Sequence, residues 1–155
     1  VHRPYNTDAP DNLRSILAAF DDIWRQTGRP VILPLHPRTR KQMDALGLAA
    51  PAGVRLIEPL GYLDMLALEQ AAALILTDSG GVQKEAYAFA VPCITLRPET
   101  EWVETVQAGW NAVVSADRAA IVQAATQRAW PAGPPPPVFG DGHAAQRIVA
   151  VLEQA

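Results

Sequence analysis

The sequence has little cysteine, little histidine, no long apolar run and no block of one charge. Each shortage removes a class of function. A single cysteine, Cys93, excludes an intramolecular disulfide and a cysteine-based metal cluster. It lies in the run Val91-Pro92-Cys93-Ile94-Thr95-Leu96, where a free thiol packs as a small hydrophobe, so it reads as core rather than nucleophile. His2, His36 and His143 are far apart and lack HExxH or paired-ligand spacing. No metal is expected, although that spacing leaves open a site assembled in three dimensions. No apolar run approaches the roughly 18 residues of a membrane helix, and no signal-peptide pattern opens the sequence. Formal net charge is -3 with no basic run above it, which argues against nucleic acid as the main partner. The cytoplasm is the expected location. The chain starts abruptly at Val1-His2-Arg3 without an initiator methionine, and is expected to be an excised fragment.

What is present describes one globular α/β domain. Hydrophobic residues make up 49% and charged residues 19% of 155, enough apolar material for a core. Short Val/Ile/Leu runs at 31–35, 54–57, 74–77, 93–96 and 112–114 predict strands buried on both faces. Helical spacing predicts helices over 12–27, 39–46, 62–72, 82–90 and 101–108, with Gly28, Gly47 and Gly109 as stops. Asp117 is a natural cap for another, and a last helix is expected over 141–154. The alternation implies right-handed crossovers and a Rossmann-like, doubly wound parallel sheet in one domain spanning 1–155. Pro134 to Pro137 must be a connector.

Four constellations carry candidate chemistry. In Leu74-Ile75-Leu76-Thr77-Asp78-Ser79-Gly80-Gly81-Val82-Gln83-Lys84-Glu85, a strand runs through Ser-Gly-Gly straight into a helix. Glycines allow close approach of a ligand, and a helix start offers free N–H groups and positive dipole to a phosphate. Glu85, one turn on, suits ribose hydroxyls. The competing reading is a tight turn with a serine cap and an exposed glutamate. Lys84 stands at the wrong spacing for a Walker loop and reads as a solvated helix charge. His2-Arg3 offers imidazole and guanidinium side by side, or is simply an exposed pair. His36, at a strand end in Pro34-Leu35-His36-Pro37-Arg38, suits either a ligand or a turn cap. Arg97 follows another strand and suits an anionic leaving group, while Glu99, Glu101 and Glu104 fit a helix start. The four tryptophans read as packing, and His143 as a surface residue.

Six motifs in register, His-Arg-Pro-x-Asn, Pro-Leu-His-Pro-Arg, Pro-Leu-Gly-Tyr-Leu-Asp-Met, Thr-Asp-Ser-Gly-Gly-x-Gln-x-Glu, Leu-Arg-x-x-Thr-Glu and Gly-Asp-Gly, resemble the carboxyl-terminal half of the non-hydrolysing UDP-N-acetylglucosamine 2-epimerases. The likeness runs from His2 to about Arg147. It implies one half of a glycosyltransferase-B-type two-domain enzyme that interconverts UDP-GlcNAc and UDP-ManNAc by elimination and re-addition of UDP. It further implies that Ser79, Gly80 and Gly81 hold the diphosphate, that Glu85 takes the ribose and that Met65 lies beside the uracil. By the same resemblance His2 and Arg97 are catalytic-cleft residues, and Arg3 and His36 belong to a regulatory UDP-GlcNAc site. No cofactor is implied. A homodimer and an amino-terminal domain carrying the acid–base carboxylates are.

Departures from the pattern are Tyr5, Lys84, Trp102-Val103 and Val138-Phe139. They leave the UDP-binding positions intact but open the identity of the sugar, a diacetamido-uronate being one alternative. A glycosyltransferase of the same architecture and a non-catalytic UDP-sugar-binding module are the other readings.

Overall fold

Residues 1–154 are described by the computed structural model, in which helices and short strands alternate as the apolar runs predict. Helices α1 (Pro4–Thr7) and α2 (Pro10–Thr27) precede β1 (Val31–Pro34), α3 (Pro37–Ala45) and β2 (Val54–Ile57). Then come α4 (Tyr62–Gln70), β3 (Ile75–Thr77), α5 (Gly80–Ala88) and β4 (Cys93–Thr95). The order closes with α6 (Val103–Gln107), β5 (Asn111–Val113), α7 (Arg118–Thr126) and α8 (Ala144–Leu152). Proline opens α1, α2 and α3, where its missing N–H forfeits no helical bond. Gly28 ends α2 at φ +71°, a left-handed cap that a side chain would strain. Four-residue α1 is too short to show a period and was not expected. The last helix is shorter than expected, and Ala155 lies outside the described residues.

All strand pairs are parallel, but they fall into two sets, β1–β2 and β3–β4–β5, rather than one continuous sheet. The break between β1 and β3 has a chemical cause. Val31 and Leu35 turn their N–H groups toward β2, to Gly53 and Ile57 carbonyls. By the two-residue period, donors toward β3 must come from positions 30, 32 and 34. Pro30 and Pro34 have none. Residues of both strands border a cavity of about 690 Å³ instead.

Alternate residues of β4 and its carboxyl-terminal extension explain why helices cover both faces. Ile94 and Leu96 enter a core with Leu13, Phe20, Ile121 and Met43, while Cys93 enters a second cluster with Ile75, Ala86 and Val91. Burial pushes the Cys93 thiol up to about 12, as suits a packing residue. Trp110 is buried, and Trp24, Trp102 and Trp130 are partly so. The proline connector has no regular structure and is fastened to α5 where Tyr87 donates its hydroxyl to the Pro136 carbonyl at 2.6 Å. On α8, Ile148, Val149, Val151 and Leu152 are exposed.

Candidate functional site

The site grows from one carboxylate at the carboxyl end of β3. Asp78 is fully buried and accepts the backbone N–H of His2 (3.0 Å), the backbone N–H of Arg3 (2.9 Å) and Asn6 Nδ2 (3.0 Å). His2 Nδ1 stands 3.2 Å from its Oδ1. Burial by itself would raise this carboxyl. The His2 side chain, the charged amino group of Val1, Asn6 and the Arg3 N–H outweigh it and hold Asp78 well below the usual carboxylate range. The His2-Arg3 pair is therefore anchored beside the Ser-Gly-Gly turn, not loose on the surface. Asn6 also donates to the Leu96 carbonyl at 2.8 Å, tying the same segment to the end of β4. Neither Asp78 nor Asn6 had been assigned a role, although both recur in the motifs.

The turn itself is a helix start. Ser79 caps α5, its Oγ accepting from the Val82 N–H at a long 3.5 Å, so that hydroxyl is only weakly committed. The first amides of α5 belong to the donors a helix leaves unpaired. The two glycines differ. A Cβ on Gly80 would meet Glu101 Oε1 at 2.2 Å and Trp102 Nε1 at 3.4 Å, so this glycine makes room for the neighbouring loop. A Cβ on Gly81 would meet nothing closer than Ser79 Oγ at 3.8 Å, and Gly81 is the one that faces open space. Glu101 pairs with Arg97 at 2.8 Å. Its pKa is lowered by a backbone hydrogen bond, by Arg97 and by the more distant charge of Arg3. The Arg97–Glu101 pair thus adjoins the start of α5 at Gly80.

On the other side of the turn, Tyr62 donates its hydroxyl to Glu85 Oε1 at 3.4 Å, joining α4 to α5 near Met65. Behind them Glu69 of α4 is buried, with no hydrogen-bond partner for either oxygen. His36 takes the capping role that the sequence left open: its Nδ1 accepts from the Arg38 N–H at 3.1 Å at the start of α3. Its ring also lies 5.3 Å from that of His2. His36 thus neighbours the His2 ring that contacts Asp78. His143 is exposed, and Asp141 of the Gly-Asp-Gly motif pairs with Arg147 at 2.5 Å.

Comparison with known proteins bears on this arrangement. The sequence profile described as UDP-N-acetylglucosamine 2-epimerase matches residues 1–153. The chain belongs to that family. It is 46% identical over 153 residues to a UDP-2,3-diacetamido-2,3-dideoxy-D-glucuronate 2-epimerase of Pseudomonas aeruginosa, covering 98% of this chain and 42% of that protein. A UDP-N-acetylglucosamine 2-epimerase homolog of Methanococcus maripaludis is 44% identical, over 98% of this chain and 43% of its own length. The crystal structure of the Methanocaldococcus jannaschii UDP-GlcNAc 2-epimerase in complex with UDP-GlcNAc and UDP superposes with a TM-score of 0.86 at 37% identity, over 99% of this chain and 44% of that one. The chain thus spans less than half the length of the relatives it matches.

Three departures from the epimerase family pattern meet in space. Lys84 Nζ lies 4.4 Å from the Trp102 ring centroid and 4.9 Å from that of Phe139, and the two rings meet edge to face at 5.8 Å. Lys84 is therefore not the solvated charge expected from its place on the helix. An aromatic pair has drawn it in. Gln83 and Thr100, also recurrent in the motifs, have a structural task. Thr100 donates to Gln83 Oε1 at 2.6 Å and Asn111 Nδ2 reaches the same oxygen at 3.2 Å, fixing the Arg97–Trp102 loop against α5. The sequence signal for this pair is their presence in adjacent motifs of one register.

Proposed function

We propose that this chain is the UDP-binding, carboxyl-terminal half of a sugar-nucleotide 2-epimerase that interconverts UDP-GlcNAc and UDP-ManNAc. The observation that carries the reading is the Ser-Gly-Gly helix start at the end of β3, where the Ser79 hydroxyl is weakly committed, Gly81 faces open space and the Arg97–Glu101 pair adjoins Gly80. In that reading Ser79, Gly80 and Gly81 hold the diphosphate, Glu85 takes the ribose hydroxyls and Met65 borders the uracil. The UDP-GlcNAc and UDP bound by the superposable M. jannaschii enzyme support it. Fixed donors facing the diphosphate stabilise the charge that develops as its bond to the sugar breaks, and in low dielectric they do so without reorganising. His2 and Arg97 then act in the cleft, and Arg3 with His36 contributes to a regulatory UDP-GlcNAc site.

The proton at C2 must be removed by a base. Carboxylates for that step belong to a second domain in the reading, one closing over the ends of β1, β3 and β4. The length of the relatives and the exposed apolar side of α8 support a further body of protein beside this one. The full-length protein is proposed to be a cytoplasmic homodimer. The 46% identity to the P. aeruginosa enzyme favours a second substrate, a UDP-linked diacetamido-uronate, over an unrelated sugar. Calorimetry of the intact protein with UDP tests the binding assignment. Ser79→Ala and Glu85→Ala are each expected to weaken UDP at least fivefold (about 1 kcal/mol each). Wild-type affinity in both variants would sink it.

A further inference from the structure

Glu69 is a buried carboxyl that the family reading does not use. It stands on α4, is only 3% exposed, and neither of its oxygens has a hydrogen-bond partner. Met65, Leu68, Ala72, Ile75 and Val82 border the cavity it shares. An ionised carboxylate left bare among such groups is costly, and neutralisation is the ordinary escape. The charged or titratable groups around it are few. Glu85 faces it from α5 and repels its charge, and Cys93, a thiol held protonated, lies toward it on β4. Arg29, on the loop before β1, borders the same cavity and leaves Glu69 unpaired. On its own helix, Tyr62 reaches not Glu69 but Glu85.

We propose that Glu69 is a positioning residue: as a neutral acid it backs the Glu85 carboxylate and holds it toward the ribose. The proposal rests on the reading of Glu85 as the ribose contact. A protonated Glu69 has one O–H to place, and the acceptor facing it across α4 and α5 is Glu85. The Tyr62 hydroxyl already donates to Glu85 Oε1, and the Glu69 O–H is the second donor the proposal assigns to that carboxylate. Ionising Glu69 reverses the contact, setting two carboxylates against each other and turning Glu85 away from the ligand. Burial, followed by the neighbouring Glu85 charge, pushes the Glu69 carboxyl up to about 7, so the reversal falls near neutral pH.

UDP-GlcNAc is the probe, because its diphosphate is esterified at both ends and loses no proton near neutrality. Its dissociation constant is measured for the intact protein at pH 6, 7 and 8. Wild-type affinity is expected to fall by severalfold from pH 6 to 8, up to about tenfold, the limit for one proton with a midpoint about 7. Glu69→Gln, isosteric with the neutral acid, is expected to bind as tightly at pH 8 as at pH 6. Glu85→Gln is expected to bind more weakly and also to lose the slope, since the charge opposing Glu69 is gone. A flat wild-type profile, or a wild-type slope kept by either variant, overturns the proposal while the ribose reading stands. Tight binding that Glu85→Ala leaves unchanged overturns the ribose reading and the proposal with it.

Discussion

Asp78 grips His2 twice, accepting its backbone N–H at 3.0 Å and meeting its Nδ1 at 3.2 Å. Seventy-six positions separate them in sequence. One buried carboxylate thus joins the first motif of the chain to the turn that opens α5. It is the contact that makes a site from segments no periodicity connects.

Removing it should be costly. Asp78→Ala leaves the His2 and Arg3 amides and Asn6 without their acceptor, a loss of about 3 kcal/mol for a buried, hydrogen-bonded charge. The same carboxylate should shape acid stability. Its folded pKa is depressed, so its contribution is complete above the unfolded value of about 3.9 and is lost as pH falls through the lower folded value. Chemical denaturation from pH 6 down to pH 2 should show a wild-type decline that is shallower in Asp78→Asn, the remainder coming from Asp8, Asp22 and Glu101.

Glu69 has the opposite sign. Its folded pKa is raised from 4.5 to about 7, so the protein loses stability as pH rises between those values and loses no more above. Glu69→Gln should then stabilise the fold at pH 8 by up to about 3 kcal/mol and have little effect at pH 4. Denaturant midpoints at the two pH values test this. An equal effect at both would show that the carboxyl does not titrate in the folded state as described.

The two glycines of the turn should separate packing from binding. Gly80→Ala must push the flexible Glu101 carboxylate off its Arg97 pair and is expected to lower stability by about 0.5–1 kcal/mol. Gly81→Ala meets open space, so it should leave stability within about 1 kcal/mol of wild type while weakening UDP. Thermal melts paired with UDP titrations distinguish them. Equal stability losses in both variants would contradict the assignment.

Lys84 and Trp102 should show coupling. A double-mutant cycle with Lys84→Ala and Trp102→Ala is expected to return about 0.5–1 kcal/mol for a partly exposed cation–π contact. Additive single-variant losses would mean the lysine gains nothing from the ring.

Much of this fold could be read from the chain. The five apolar runs gave the five strands to within a residue or so, because strands covered on both faces must be apolar throughout. The Ser-Gly-Gly turn was legible for a similar reason, since a helix start directly after a strand leaves few choices of residue. Other features depend on partners remote in sequence. Pro30 and Pro34 were visible, but their consequence emerges only once Val31 and Leu35 are known to point at β2. Glu69 sits in an Ala/Leu-rich helix like any solvated glutamate, and only its neighbours bury it. Lys84 was misread because the rings that draw it in lie about 20 and 55 positions away. The ordered motifs supplied what local chemistry did not, tying the turn at Asp78 to the epimerase family.

The most direct test of that tie is exchange at the reacting carbon. The intact protein is incubated with UDP-GlcNAc in deuterium oxide and the sugar is followed by NMR. Elimination and re-addition of UDP predict deuterium at C2 together with the appearance of UDP-ManNAc. Retention of hydrogen at C2, in UDP-GlcNAc and in the diacetamido-uronate substrate alike, would contradict the account.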